Sequence, residues 1–393
     1  MALVFDDESV EGPATHVLVI GVGHYPHLPG GGDAQRAVLD VGMRQLSSPP
    51  VSARNFADWV ITRFHNPRRP LASVEMLLGD QLLSYERPAR AGFPAATMPT
   101  GGATLKEMSD AAIRWKKRGN KHPDNLLIFY FCGHGLSKGD DFGIVASDYG
   151  HSEDLPLDGM VDVPKFLLAM QDCEATDQCY FFDACRASDE SLVETENYGN
   201  ALVQKIAAAK PGMHQCVYYS TLGGAVAHGR KGQASFYTRA LLQALNGSAA
   251  ENSAGPWQVN TARLFEAISH LMREMADQTL PKVQVPQSGS QVMFDFHQLQ
   301  CDPELPFLLG VDNHVGPAPP PYVQTLSFLQ NATQLACYPA AAPPLPRPCE
   351  WSERHFETWL PLGLTNFELA KVGQQPDCGE HYLTPPGAWI RGR

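Results

Sequence analysis

Residues 126–135 read LLIFYFCGHG, an apolar run that ends at a histidine between two glycines. Residues 179–186 read CYFFDACR, a second aromatic-rich run whose cysteine follows that histidine by about 50 positions. Each run is short and bounded by turn-forming residues, as is typical of a strand buried in a parallel sheet. Open α/β sheets bind their ligands at the edge where the carboxyl ends of parallel strands meet. The two runs therefore predict that His134 and Cys185 lie side by side at that edge.

A thiol beside an imidazole has the chemistry of a nucleophile and its proton carrier. A free thiol titrates near about 8.5, so an enzyme must favour the thiolate or move the proton during attack. His134 would accept that proton and return it to the leaving amine. This pair predicts a cysteine peptidase with Cys185 as the nucleophile. The alternative is a core histidine and a core cysteine at the ends of unrelated strands.

The rest of the first 300 residues alternates between strand and helix patterns, which favours an α/β sandwich with a mainly parallel sheet. Thr104 followed by Glu107 has the spacing of a capping box at a helix start. The predicted strands are 15–23, 74–78, 126–133, 142–146, 179–184, 216–220 and a closing strand at 292–296. The predicted helices are 33–45, 53–64, 104–118, 161–171, 234–245 and 259–275, with a partly helical linker at 191–211.

Composition describes an ordinary folded protein and excludes several classes of function. The 393 residues allow one large α/β domain with an appendage, or two domains. A net charge of −12 argues against a nucleic-acid-binding surface. No apolar run reaches the roughly 18 residues that a membrane span needs, and the acidic N-terminus lacks the features of a signal peptide. We therefore expect a cytoplasmic protein whose nine cysteines are reduced.

The character of the chain changes after about residue 300. Prolines cluster there, with runs at 319–321 and 343–346, and favour extended polyproline-type segments over regular elements. The same region is too aromatic for a solvated tail. Its aromatic residues include Trp351, Phe356, Trp359, Phe367, Tyr382 and Trp389. We expect a small appendage that packs on the main domain or on a partner.

The strand-His-Gly and strand-Asp-Ala-Cys-Arg motifs together resemble the caspase and metacaspase superfamily of cysteine peptidases. The resemblance covers roughly residues 14–299 and implies a caspase-like three-layer sandwich with a mainly parallel six-stranded sheet. It leaves residues 1–13 as an N-terminal extension and 300–393 as a proline-rich appendage of unknown role. Asp183 stands where caspases have glutamine, and Ala187 where they have glycine. An aspartate two residues before the cysteine is instead similar to metacaspases and many bacterial caspase-like proteins.

The resemblance also implies roles for residues around the two catalytic side chains. The backbone amides of Gly135 and Cys185 would form the oxyanion hole. Asp183 would help form an acidic substrate pocket, with Asp33 as the best match for a second acid, and Ser220 would line the substrate groove. The alternatives are a strand-end acid that caps a turn for Asp183, a helix N-cap for Asp33 and a plain strand end for Ser220.

An acidic pocket predicts cleavage after arginine or lysine. The polar segment 187–213 is a candidate processing loop, so we expect activation by processing or by a protein partner. Bacterial proteins of this kind are associated with regulated proteolysis, including antiviral defence and cell death. The rival hypothesis is a caspase-fold interaction module with incidental or no proteolysis, and an intact Cys185 and His134 argue against it. A legumain-like or gingipain-like peptidase on the same fold is a further alternative.

We expect a protein or peptide substrate, and neither a nucleic acid nor a membrane as partner. No cofactor is predicted, and the cysteine spacings match no common zinc site. Calcium is the alternative, because some metacaspases bind it and Asp140, Asp141 and Asp148 follow His134. These aspartates lack the spacing of an EF-hand loop.

Overall fold

The structure is a computed structural model, and it describes two compact units. The described residues are 2–138, 141–185, 187–188, 199–221, 232–253, 255–279, 285–290, 292–311, 314, 316–339, 347–352 and 355–390. The first unit comprises Met1–Leu242 and Lys282–Phe294, and the second comprises Gln243–Pro281 and Asp295–Arg393. This division differs from the predicted domain boundary at residue 299. It groups residues 243–281 with the C-terminal part of the chain.

The elements of both units follow one another in a strand-rich order. In chain order up to residue 243 they are β1 Leu3–Asp6, β2 Thr15–Val22, α1 Ser48–Thr62, β3 Leu71–Gly79, β4 Ser84–Arg87, β5 Ala96–Pro99, α2 Leu105–Gly119, β6 Leu126–Gly133, β7 Gly135–Lys138, β8 Asp141–Val145, β9 Met160–Asp162, α3 Val163–Ala169, a 3₁₀ turn Met170–Asp172, β10 Asp177–Ala184, β11 Ala187–Ser188, β12 His214–Tyr219 and α4 Phe236–Gln243. The remaining elements are a π-helical turn Ala244–Ser248, β13 Ala250–Glu251, β14 Gln258–Asn260, α5 Thr261–Thr279, β15 Gln287–Ser290, β16 Asp295–Gln298, β17 Glu304–Gly310, β18 Val323–Gln330, β19 Thr333–Tyr338, β20 Arg347–Pro348, β21 Glu350–Ser352, β22 His355–Pro361, β23 Gly363–Lys371, β24 Asp377–Leu383 and β25 Ala388–Ile390.

A mainly parallel sheet forms the centre of the first unit. Within the described ranges its strand order is β1-β3-β2-β6-β10-β12-β15. The five strands from β3 to β12 run parallel, and β1 and β15 pair antiparallel at the two edges. This confirms the predicted mainly parallel α/β architecture.

The two edge strands correct the sequence prediction. The sheet has seven strands in the described ranges instead of six, because β1 of the predicted N-terminal extension pairs with β3 and buries Val4 and Phe5. The strand at the other edge is Gln287–Ser290, and the predicted closing strand at 292–296 was wrong. Residues Asp295–Gln298 instead pair with β14 in a separate small sheet. The sequence QSGS of β15 has no apolar alternation, so hydrophobic patterning could not identify it.

Helices cover both faces of the sheet. On one face, Phe56 of α1 stacks on Tyr130 with ring centroids 4.4 Å apart. On the other face, Trp115 of α2 packs against Phe129 and Tyr180 at 6.0 and 6.2 Å. Side chains alternate between the two faces along a strand, so Phe129 and Tyr130 must point in opposite directions. The predicted three-layer sandwich is therefore confirmed.

The register of β6 against β10 positions the candidate site. The two strands pair in parallel, residue by residue, from Leu126 opposite Asp177 to Gly133 opposite Ala184. His134 and Cys185 each follow the last paired residue of their strand. The alternative that they end unrelated strands is therefore wrong.

Two predicted helices are absent from the described residues. The predicted helix at 33–45 is an irregular loop, with positive φ angles at Val41 and Gly42 that a right-handed helix cannot contain. Helix α1 begins only at Ser48, with prolines in its first turn. The described part of the predicted linker, 199–211, contains no helix, and 191–198 lie outside the described residues. The other predicted elements are confirmed, with ends that shift by a few residues.

The C-terminal chain forms two β-sheets around a shared core. Their strand orders are β21-β22-β17-β25 and β20-β19-β18-β23-β24. Phe307 of β17 contacts Phe328 of β18 at 4.9 Å between ring centroids, and both belong to one buried cluster. The proline run 319–321 lies between β17 and β18, and the run 343–346 lies outside the described residues. The expectation that regular elements would be disfavoured here was wrong, because alternating apolar residues such as Leu305, Phe307 and Leu309 form strands. The role of this region stays a prediction.

The predicted capping box at the start of α2 is confirmed, and its loss should weaken the first unit. The Glu107 amide donates to Thr104 Oγ1 at 3.3 Å, and the Thr104 amide donates to Glu107 Oε2 at 3.0 Å. We expect Thr104→Ala to lower the free energy of unfolding by about 1 kcal/mol, because a helix amide loses its acceptor. Urea unfolding followed by circular dichroism measures this change. Thr104→Ser is the matched control and should retain most of the stability; equal loss in both variants would contradict the capping role.

Candidate active site

A close backbone approach brings the two strand ends together. Gly135 follows His134, and a Cβ atom added to it would lie 2.5 Å from the carbonyl oxygen of Cys185. It would also lie 3.1 Å from the Cβ of Ala184. Only glycine fits such an approach without moving the backbone. The turn after β6 thus lies directly against the nucleophile strand.

His134 is held by a backbone carbonyl. Its ring is buried, with 8% of the residue exposed. Nε2 lies 2.6 Å from the carbonyl oxygen of Arg44. A carbonyl can only accept, so Nε2 must carry the proton and Nδ1 must hold the lone pair in the neutral ring. The protein therefore presets the tautomer in which Nδ1 is the base.

Burial also sets the charge of this imidazole. Desolvation lowers the pKa of His134 from 6.5 to about 4, and the hydrogen bond to Arg44 opposes that shift only in part. The ring is neutral at pH 7 and can accept a proton. Cys185 is partly exposed, so a substrate can reach its thiol. This arrangement favours proton transfer to Nδ1 during attack over a resting thiolate–imidazolium pair.

Tyr25 supports His134 from the other side. The His134 amide donates to the Tyr25 hydroxyl oxygen at 2.9 Å, and the two rings lie 4.9 Å apart at their centroids. Tyr25 is fully buried, and desolvation raises its pKa well above the usual value, so the hydroxyl stays neutral. Its position also explains Gly133, where an added Cβ would lie 2.9 Å from that hydroxyl.

Asp183 lies in a buried cluster of hydroxyl donors. Only 2% of Asp183 is exposed. Its Oδ2 accepts hydrogen bonds from Ser235 Oγ, from Thr238 Oγ1 at 2.7 Å and from the Cys132 thiol at 3.4 Å. Desolvation raises the pKa of the Asp183 carboxyl, and these hydrogen bonds act in the opposite direction. Among the described residues, no ion pair to Asp183 neutralises its charge.

The structure does not bring Asp33 into this cluster. Asp33 is exposed, accepts the Gln35 amide at 3.1 Å and lies 3.9 Å from His27 Nδ1. The helix N-cap alternative for Asp33 was also wrong, because no helix follows it. Ser52 of α1 takes the neighbouring position instead, since its Oγ accepts the amide of Ser235 at 2.9 Å. Within the described ranges the cluster therefore contains one carboxylate.

Ser220 fixes the end of β10, the strand that precedes Cys185. It is buried, its amide donates to Phe182 O at 2.9 Å, and its hydroxyl donates to Ala184 O at 3.1 Å. Thr221 Oγ1 lies 3.4 Å from the same carbonyl. These bonds hold the residue directly before Cys185. A substrate-binding role for Ser220, and the oxyanion-hole role of the Gly135 and Cys185 amides, stay predictions.

The calcium alternative gains no support from the aspartates that the structure describes. Asp148 Oδ1 accepts the Leu105 amide at 2.8 Å and so caps α2, while Asp140 lies outside the described residues. In the described parts of the chain, no group of three or more metal-binding side chains is arranged to hold an ion. None of the helices described there combines the length and hydropathy that a membrane span requires.

Sequence reasoning missed several residues of the site. The Arg44 carbonyl is a backbone group and leaves no side-chain signature. Tyr25 follows the first strand closely, but nothing in its local pattern indicates its partner. Ser235 and Thr238 could have been found, because a serine three residues before a threonine at a helix start is an N-cap signal, and the Thr238 amide does donate to Ser235 Oγ at 2.9 Å.

Comparisons with known proteins show what this chain is similar to. A protein of Sinorhizobium fredii (strain NBRC 101917 / NGR234), named "Uncharacterized protein y4kE", is 27% identical over 212 residues. The aligned part covers 53% of this chain and 59% of that relative. The crystal structure of caspase-1 from Spodoptera frugiperda aligns over 73% of this chain and 91% of its own, with a TM-score of 0.41 and 11% identity. The caspase domain family matches residues 15–297, and the chain therefore belongs to that family.

Proposed function

We propose that this protein is a cysteine endopeptidase in which Cys185 attacks the peptide bond and His134 carries the proton. The observation that carries the proposal is the hydrogen bond from His134 Nε2 to the Arg44 carbonyl, 2.6 Å long. It leaves Nδ1 unprotonated on a side chain whose neighbouring strand ends at the nucleophile.

The proposed reaction uses these groups in two steps. Cys185 Sγ bonds to the scissile carbonyl carbon while its proton passes to His134 Nδ1, and the Gly135 and Cys185 amides stabilise the oxyanion. The C–N bond then breaks as the imidazolium returns the proton to the leaving amine. Water, deprotonated by His134, hydrolyses the thioester and regenerates the thiol.

We further propose that the substrate has arginine or lysine before the cleaved bond. A buried carboxylate without a neutralising cation is costly, and a basic substrate side chain would supply that cation. The hydrogen bonds that Asp183 accepts from Ser235, Thr238 and Cys132 orient its carboxylate without neutralising it. The presence of a single carboxylate predicts a weaker preference than two acids would give.

Activation by processing or by a protein partner, cytoplasmic location and a role in bacterial defence or cell death belong to the same proposal. Within the candidate processing loop, the described part from residue 202 is anchored: Leu202 and Val203 are buried, and Asp172 Oδ2 accepts the amides of Ile206 and Ala207 at 2.7 and 3.1 Å. A cut on the amino-terminal side of this anchored segment would leave both parts of the peptidase domain attached.

The wild type should cleave fluorogenic peptides that end in arginine or lysine, and Cys185→Ala should abolish that cleavage. Cys173→Ala, which changes a buried cysteine on the body of the domain, is the control and should retain activity if it folds. Cleavage after aspartate alone would overturn the specificity. Silence of the wild type, repeated after limited proteolysis and with calcium, would favour the interaction-module hypothesis.

Asp183→Asn should reduce kcat/KM for arginine peptides by about 10- to 100-fold, because a hydrogen bond to a charged group contributes about 1.5–3 kcal/mol. Peptides ending in glutamine should lose much less. Asp33→Asn is the matched control, and we expect it to change neither value because Asp33 lies outside the cluster. A larger effect of Asp33→Asn than of Asp183→Asn would contradict the assignment.

The buried imidazole also predicts how activity depends on pH. The base must be unprotonated, and the lowered pKa of about 4 keeps His134 neutral in mildly acidic solution. We expect kcat at saturating arginine substrate to stay level from neutral pH down to about pH 5, and to fall only near 4. An acid limb centred near 6.5, the ordinary histidine value, would show that His134 is solvated in the working enzyme.

A further inference from the structure

We propose that Gln45, together with Tyr25, is a positioning residue that holds the Arg44 carbonyl on His134 and so sets the catalytic tautomer. The inference rests on the proposed function. It starts from a problem in the fold: Arg44 lies in an irregular loop, with neither helix nor strand to fix its carbonyl. A carbonyl that determines a tautomer needs support from other groups.

Gln45 provides this support through its side-chain amide. Its Oε1 accepts the Tyr25 amide at 2.8 Å, and its Nε2 donates to the Tyr25 carbonyl at 2.8 Å. The side chain thus pairs with both backbone groups of one residue, as a neighbouring strand would. Nε2 also lies 3.4 Å from the Leu28 carbonyl and 3.3 Å from that of Pro29. The Gln45 side chain therefore ties its own segment to the start of the loop.

The contacts close into a ring of four residues. Tyr25 receives the His134 amide on its hydroxyl, and its backbone binds the Gln45 side chain. Gln45 is bonded covalently to Arg44, whose carbonyl returns to His134 Nε2. His134 is therefore held at its backbone and at its ring by two groups that Gln45 connects. A second anchor follows directly, because the Leu46 amide donates to Gly23 O at 2.9 Å.

This ring predicts an effect on chemistry rather than on substrate binding. Tyr25 and Arg44 contact His134, whereas Ser235, Thr238 and Cys132 donate to Asp183 and share no hydrogen bond with this ring among the described residues. If the Arg44 carbonyl were less well fixed, the neutral imidazole could carry its proton on Nδ1. Nδ1 would then have no lone pair with which to accept the thiol proton. A misplacement of about 1 Å costs on the order of 10²-fold in rate.

The test compares Gln45→Ala and Gln45→Glu with Gln35→Ala. Gln35 lies in the same loop, but its Nε2 donates to the carbonyl oxygen of His151 and not to Tyr25. Both Gln45 variants should lower kcat for an arginine peptide by about 10- to 100-fold with little change in KM. Glutamate should fail as alanine does, because it cannot donate to the Tyr25 carbonyl. Gln35→Ala should match the wild type.

A second readout does not depend on activity. In ¹⁵N-histidine-labelled protein, the His134 signals are identified by their loss in His134→Ala, and they report which ring nitrogen carries the proton. The wild type should show only the Nε2–H tautomer at pH 7, and the Gln45 variants a mixture. Tyr25→Phe, which keeps the ring and removes the acceptor, should shift the signals in the same direction. If the Gln45 variants keep the wild-type tautomer, the proposal is wrong, even where no peptide is cleaved.

Discussion

The parallel register of β6 against β10 is the constraint on which the site depends. Eight consecutive residue pairs, from Leu126–Asp177 to Gly133–Ala184, fix where each strand ends. A shift of one residue would turn every side chain of the strand to the other face of the sheet, so the aromatic layers on both faces protect this register. The chemistry of His134 and Cys185 is in this sense a consequence of how Phe129, Tyr130 and their neighbours pack.

Burial shifts the pKa of both titratable side chains, His134 and Asp183. The same desolvation that lowers the pKa of His134 raises that of the Asp183 carboxyl, because each shift disfavours the charged form. Hydrogen bonds oppose both pKa shifts. The Arg44 carbonyl binds the imidazole, and hydroxyl groups donate to the carboxylate. At both positions the packed sheet excludes water, and the neighbouring segments provide the hydrogen bonds.

Sequence patterns predicted the parts of the fold that apolar periodicity and caps encode. The strands that carry His134 and Cys185, their adjacency and the capped helix α2 follow from such signals. Sequence patterns failed where backbone groups determine the structure. Strand β15 has no apolar alternation and is defined by its backbone pairing. The loop that contains Arg44 contributes a backbone carbonyl, which leaves no signature in the side-chain sequence. The pocket role of Asp33 stays a prediction: Asp33 bonds to Gln35 within its own loop, and α1 places Ser52 beside Ser235.

The central claim is that Cys185 and His134 act as one unit because two strands end together. The most direct measurement is the rate at which a peptidyl acyloxymethyl ketone ending in arginine labels the protein, with the labelled cysteine identified by mass spectrometry. We expect labelling at Cys185, slowed by about 10²- to 10⁴-fold in His134→Ala. Labelling that proceeds equally fast without His134, or that falls on the exposed Cys301 or Cys378, would contradict the claim.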